Sequence, residues 1–163
     1  MSSQINNIQY YFDANALFKY YQDEKGALKI RRLVTLAPNS VLVSQLSLLE
    51  CFGIVVKRYR QKLLKRKNVK TMFKHLRKDA RLNTQHRPFE IIEMPEGVFR
   101  MAENILLQHA LTFDIGSNDA LHIAIVKTLQ SQSLSPILVT SDKSMQRVCE
   151  RLSIAFYDPE SED

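Results

Sequence analysis

The stretch IQYYFDANALFKYY, residues 8–21, sets the reading of the whole chain. Residues 8–12 are apolar and rich in strand-favouring side chains, the run stops at Asp13, and residues 14–21 suit a short helix. A strand that gives way to a helix across one acid begins an α/β pattern, and the remaining sequence repeats it. Residues 27–36 place Leu28, Leu33 and Leu36 near helical spacing, with Pro38 as the stop. Residues 41–43 read as a second strand. Leu46, Leu49, Phe52, Val56, Tyr59 and Leu63 then recur every three or four positions, which predicts a long amphipathic helix. Val69, Phe73 and Leu76 continue such a face in another helix after Asn68.

The second half follows the same alternation. Residues 89–94 read as a short strand, and Glu90 and Glu93 put it near a sheet edge. Pro95 suits the first turn of a helix whose stripe is Val98, Met101, Ala102, Ile105, Leu106 and His109. Ser117 is the expected N-cap of a helix over 118–130, with Leu121, Ala124, Ile125 and Leu129 inward. Residues 137–140 form a strand just ahead of Ser141 and Asp142. A helix carrying Met145, Val148 and Leu152 follows, and 154–157 form the closing strand. Strands separated by helices imply an α/β fold with a central, mainly parallel sheet and helices on both faces. At 163 residues, with no internal repeat, one domain spanning 1–163 is the expectation.

Composition narrows the function classes. Hydrophobic residues are 45% and charged residues 25%, ordinary for a globular chain, and no apolar run approaches the roughly 18 residues that span a bilayer. The polar residues 1–7 lack the order of a secretion signal, so the reading is soluble, intracellular and cytoplasmic, with no membrane partner. Cys51 and Cys149 lie in apolar helical patterns without metal or redox spacing and read as buried small hydrophobes. Charge is uneven. Thirteen Lys or Arg against the single acid Asp79 make residues 57–87 a +12 segment, and the rest of the chain is −6 within a net +6. An acidic body with a basic extension points to a polyanionic partner.

In a parallel sheet, ligands gather at the carboxyl ends of the strands. Asp13 and Asp142 fall at that rim without needing burial in the core. Asp119 falls in the first turn of a helix, where the dipole also favours an acid. Glu50 lies inside an apolar helical run and needs a partner or a metal if it is buried. Carboxylates converging on one rim repel each other unless cations neutralise them. The hard, oxygen-seeking ions Mg2+ and Mn2+ do so, and two such ions about 4 Å apart support in-line displacement at a phosphodiester. Asp114 is a fifth acid but reads as a solvated loop residue. His122, one turn after Asp119, reads as packing or as a support to the site rather than as a base.

The motifs FDANAL (12–17), SLLE (47–50), NDALHIA (118–124) and TSD (140–142) together resemble the PIN-domain nucleases, most closely the VapC-like toxins of bacterial toxin–antitoxin pairs. The resemblance implies a PIN-like three-layer α/β/α fold and a Mg2+- or Mn2+-dependent endoribonuclease acting on RNA, tRNA or other structured RNA included. It also implies a cognate antitoxin and a homodimer. Asp13, Glu50, Asp119 and Asp142 match the family's acidic positions, and Asn15 and Ser141 match polar neighbours of the first and fourth acids. Residues 57–87 depart from the family pattern as a longer, more basic helical hairpin. There Lys57, Arg58, Lys62, Lys65, Arg66, Lys67 and Lys70 are candidates for RNA phosphate contact, with Tyr59, Phe73 and His75 able to stack although aromatics of this kind are mostly core. The rival readings are a housekeeping RNA-processing nuclease and a non-catalytic PIN-like binding module. An aspartyl-phosphate enzyme fits poorly, because FDANA lacks the second Asp of a DxD nucleophile.

Overall fold

Side-chain alternation along the central strands divides the molecule into two cores. In this computed structural model, which describes residues 8–36, 40–80 and 87–162, Tyr11, Leu42 and Leu138 face one side of the sheet. Phe12, Val41, Val43 and Val139 face the other. The strands are β1 (Tyr10–Phe12), β2 (Val41–Ser44), β3 (Glu90–Ile92), β4 (Ile137–Val139) and β5 (Phe156–Tyr157), ordered β3-β2-β1-β4-β5 with every pairing parallel. Parallel strands need crossovers, and helices supply them. α1 (Ala14–Tyr21), α2 (Ala27–Leu36), α3 (Gln45–Arg60) and α4 (Arg66–Asp79) cover the Phe12 face. α5 (Val98–His109), α6 (Ser117–Ser131) and α7 (Lys143–Arg151) cover the Tyr11 face. The expected three-layer α/β/α arrangement is therefore present, with β3 at the sheet edge.

Strand order reverses between β1 and β4, where the crossovers change face. This is the topological switch point of the sheet, a place where parallel α/β folds leave a crevice. The first and last site acids of the sequence pattern follow these two strands.

Several local expectations fail for identifiable reasons. α2 buries Ala27, Ile30 and Val34, leaving Leu28 and Leu36 in solvent. α3 buries Ser47, Cys51 and Val55, whereas Leu49 (71% exposed), Tyr59 and Leu63 point out. The reason in α3 is close approach to the sheet: the Ser47 hydroxyl donates to the Phe12 carbonyl at 2.8 Å, and a small polar residue permits that contact. α5 begins at Val98, not at Pro95, because Gly97 at φ 75° takes the left-handed N-cap position while the Val98 N–H reaches the Pro95 carbonyl. Gly116, not Ser117, caps α6. The Pro38 stop lies outside the described residues.

α3 ends earlier than its apolar spacing suggests. Lys62 adopts φ 61°, the Leu63 N–H returns to the Arg58 carbonyl, and the Lys62 N–H returns to that of Tyr59. This pair of bonds is a Schellman closure with lysine where glycine is usual. α4 then starts at Arg66, ahead of Asn68, and its Phe73 meets Phe52 edge-on at 4.8 Å between ring centres. The two cysteines are free and lie in opposite cores, and burial pushes each thiol up to about 12.

Candidate active site

Three of the four predicted acids stand at helix N-termini, and each has a local reason to be there. Asp13 is the N-cap of α1 and accepts the Ala16 N–H at 2.7 Å. Asp142 is the N-cap of α7 and accepts the Met145 N–H at 2.8 Å. Asp119, in the first turn of α6, reaches back to the Gly116 N–H at 2.8 Å. Capping therefore operates at all three positions, and each helix dipole favours the anion. The capping and site readings of these acids coexist, because the three N-termini open on the same space.

That space is a cavity of about 390 Å³ lined by Asp13, Asn15, Glu50, Lys57, Asp119, His122 and Asp142, with Ala14, Gly53, Ile54 and Met145 as its apolar wall. All four predicted acids meet there. Asp114 is exposed and lines no part of it. Asp13 is only 3% exposed, although its place at the rim does not require burial, whereas Asp142 is exposed.

Glu50 reaches the cavity from α3, and α6 holds it. Its Oε1 accepts from the Asn118 amide at 2.7 Å, and its Oε2 lies 2.6 Å from His122 Nε2. Burial works against ionisation of Glu50, but His122 and Asn118 more than offset it and hold the carboxyl below its ordinary range. Asp13 and Asp119 are shifted the other way. Burial raises Asp13, partly offset by His122, the Ala16 N–H and Thr140, with Glu50 adding repulsion. Burial also raises Asp119, and Asp142 and Glu50 repel it further. Carboxylates whose neighbours resist their charge are the signature of a site that gains from a cation.

The donor chemistry, four carboxylates at one cavity, fits a hard divalent ion. Among the described residues no three His, Cys, Asp or Glu side chains close around a single point as they lie. The aspartates are turned to their helix ends and Glu50 to α6.

Asn15 also lines the cavity. The Ser141 hydroxyl is buried without a partner among the described residues, and Thr140 takes the supporting place instead. Its hydroxyl accepts the Asp142 N–H at 3.1 Å, reaches Met145 Sδ at 3.8 Å and helps to hold the Asp13 pKa down. Asn118 and Thr140 escaped the sequence reading, which had His122 as packing or as a support to the site without naming Glu50 as the acid it meets. The one available signal was spacing, since Asn118 and His122 lie four apart on α6 and flank Asp119.

The predicted RNA-contacting bases separate. Lys57 lines the cavity, two turns along α3 from Glu50. Arg58 turns away, pairs with Glu24 at 3.3 Å and lies over the Phe18 ring. Lys62, Lys65, Arg66, Lys67 and Lys70 are exposed on the turn and α4, where Lys74, Arg77 and Lys78 extend the run. Phe73 is partly buried, while Tyr59 and His75 are exposed.

Comparison with known structures gives related folds. FitAcB from Neisseria gonorrhoeae is 18% identical, covering 93% of this chain and 98% of its own, with a TM-score of 0.61. VapBC2 from Rickettsia felis, bound to a DNA fragment from its promoter, is 18% identical over 93% of this chain and 98% of its own, with a TM-score of 0.57. VapC20 from Mycobacterium tuberculosis, described as a sarcin-ricin loop cleaving toxin, is 11% identical over 85% of this chain and 94% of its own, with a TM-score of 0.61. At these identities the likeness is one of fold. No curated protein matches by sequence. The PIN domain family model matches residues 10–151, from the first residue of β1 to the last of α7. Since that span takes in both strands of the switch point and every helix around the cavity, the chain belongs to the PIN domain family.

Proposed function

We propose that the protein is a divalent-metal-dependent endoribonuclease acting as the toxin of a toxin–antitoxin pair. The observation that carries this reading is the meeting of Asp13, Glu50, Asp119 and Asp142 in one cavity at the sheet's switch point. Membership of a family whose folds include VapC toxins supports the nuclease chemistry, and the name of VapC20 supports RNA as substrate. Structural relatives seen as toxin–antitoxin complexes support an antitoxin partner. Among the described residues no helix is long and apolar enough to cross a membrane; action in the cytoplasm is part of the same proposal.

In this reading the four acids are the ligands of Mg2+ or Mn2+, which when bound would activate water and stabilise the leaving oxygen at a phosphodiester. The chain's own residues prepare the site. Helix-end hydrogen bonds fix one oxygen of each aspartate, and Asp119 and Asp142 keep a second oxygen without a protein hydrogen bond among the described residues. Asn118 and His122 orient Glu50, Thr140 holds the start of α7 and favours the Asp13 anion, and Lys57 presents a cation to an incoming phosphate. Lys62, Lys65, Arg66, Lys67 and Lys70 contact the RNA backbone further out, with Lys74 and Arg77 extending the same α4 face. Arg58, engaged by Glu24, is not among them.

The test is cleavage of total RNA, tRNA included, with Mg2+ or Mn2+, by wild type and Asp13→Asn side by side. Wild type is expected to cut at discrete sites and the variant to fold normally but lose at least about 100-fold in rate. No metal-dependent cutting by wild type overturns the nuclease reading, and equal RNA binding without cutting would mark a binding module.

A further inference from the structure

Behind Glu50 the core contains a line of polar side chains that the acid cluster does not explain. His122 Nε2 lies 2.6 Å from Glu50 Oε2, and His122 Nδ1 lies 2.8 Å from the Tyr11 hydroxyl. That hydroxyl is 2.8 Å from Ser44 Oγ and 3.3 Å from Ser47 Oγ. Tyr11, Ser44 and Ser47 have no exposed surface, and His122 is 2% exposed. The line thus runs from the sheet, through β1 and the end of β2, across to α6, and stops at one oxygen of one cavity acid.

One donor order satisfies the whole line. Ser47 donates its hydroxyl proton to the Phe12 carbonyl. Ser44 is then free to donate to Tyr11, and Tyr11 to donate to His122 Nδ1. The remaining imidazole proton sits on Nε2 and points at Glu50. Every group in the line then has a partner. A buried polar group left unpaired is costly, so a chain that loses one member is strained throughout. Apolar side chains would fill the same space without that requirement.

We infer that Tyr11 and His122 are positioning residues: they lock the tautomer and place of an Nε2–H donor that holds the Glu50 carboxylate at the cavity wall. The inference rests on the proposed role of Glu50 as a metal ligand. Without the lock, the flexible glutamate is held only by the exposed Asn118 contact on its other oxygen. A ligand oriented through such a partner typically loses about 10–100-fold in metal affinity when the partner is removed.

The test is manganese binding to RNA-free protein, with kcat and KM for RNA measured beside it. Tyr11→Phe keeps the ring and removes the hydroxyl. It is expected to weaken Mn2+ binding about 10-fold and to lower kcat with little change in KM. The His122 ring nitrogens should pass from a single Nε2–H tautomer to a mixture in NMR spectra. Should Tyr11→Phe fold poorly, His122→Gln and His122→Leu serve instead. Gln keeps an N–H near the Nε2 position and should retain most of the affinity, whereas Leu should lose it. Folded Tyr11→Phe and His122→Leu proteins with wild-type manganese affinity and kcat overturn the inference, as does a mixture of tautomers in wild type. A wild type that neither binds manganese nor cuts RNA overturns the proposed function instead, and the ring signals still decide the positioning claim.

Discussion

Asp142 combines two tasks in one side chain. One oxygen starts α7 by accepting the Met145 N–H, and the carboxylate also lines the acid cavity. The tasks separate by substitution. Asp142→Asn keeps an oxygen for the cap, so urea unfolding should place its stability within about 0.5 kcal/mol of wild type while RNA cleavage is lost. Asp142→Ala should lose cleavage and about 1 kcal/mol of stability as well. Asp158 offers a cleaner electrostatic case outside the cavity. Burial opposes its charge, but hydrogen bonds from Lys143, the Glu160 N–H and Gln146 bring its pKa down from 3.8 to about 2. A depressed carboxyl stabilises the fold above its unfolded pKa, and that contribution disappears as pH falls through the folded value. Asp158→Asn should therefore cost about 1–2 kcal/mol at neutral pH, a difference that shrinks below about pH 5 and is gone only near pH 1 in denaturation curves.

Helices here are placed by their ends and by their closest contacts more than by their largest side chains. Leu28, Leu36, Leu49 and Leu63 all fall at helical spacing and all remain exposed, because the neighbouring stripe of smaller residues fits against the sheet and α1. The α3–α4 turn shows the cost of an unusual end. Lys62 occupies a left-handed conformation, which costs an L-residue about 1 kcal/mol that glycine avoids. Lys62→Gly is expected to raise the melting temperature by a few degrees, corresponding to about 0.5–1 kcal/mol. A lower melting temperature would show that the lysine side chain itself stabilises the turn.

Across the whole molecule, in the proposed reading, the charge pattern divides the work of binding. The acids converge at the switch point, while the cations extend away along α4, with Lys57 alone among them reaching the cavity. RNA bound to such a surface releases counterions, so affinity falls steeply with salt. Replacing Lys67, Lys70, Lys74 and Arg77 by Gln should lower the slope of log affinity against log salt by about 3, near 0.7 for each lost single-strand phosphate contact. Filter binding of Asp13→Asn protein across a salt series measures this without cleavage. An unchanged slope would mean that α4 faces solvent rather than RNA.

The alternation of strand and helix, the rim acids and the +12 segment were all legible in the sequence, because periodicity, strand ends and charge are local properties. Asp13 and Asp142 were readable on those grounds alone, and the spaced motifs added Glu50 and Asp119. Helix phase in α2 and α3 was not legible, because the side that is buried depends on what packs against it. Nor was the support of Glu50: Tyr11, Ser44 and His122 lie in three separate elements that meet only once the sheet has formed. Sequence therefore determined which residues could carry the chemistry. Tertiary structure decided which groups orient them, since a hydrogen bond between residues 72 or 111 positions apart exists only after packing has brought its ends together.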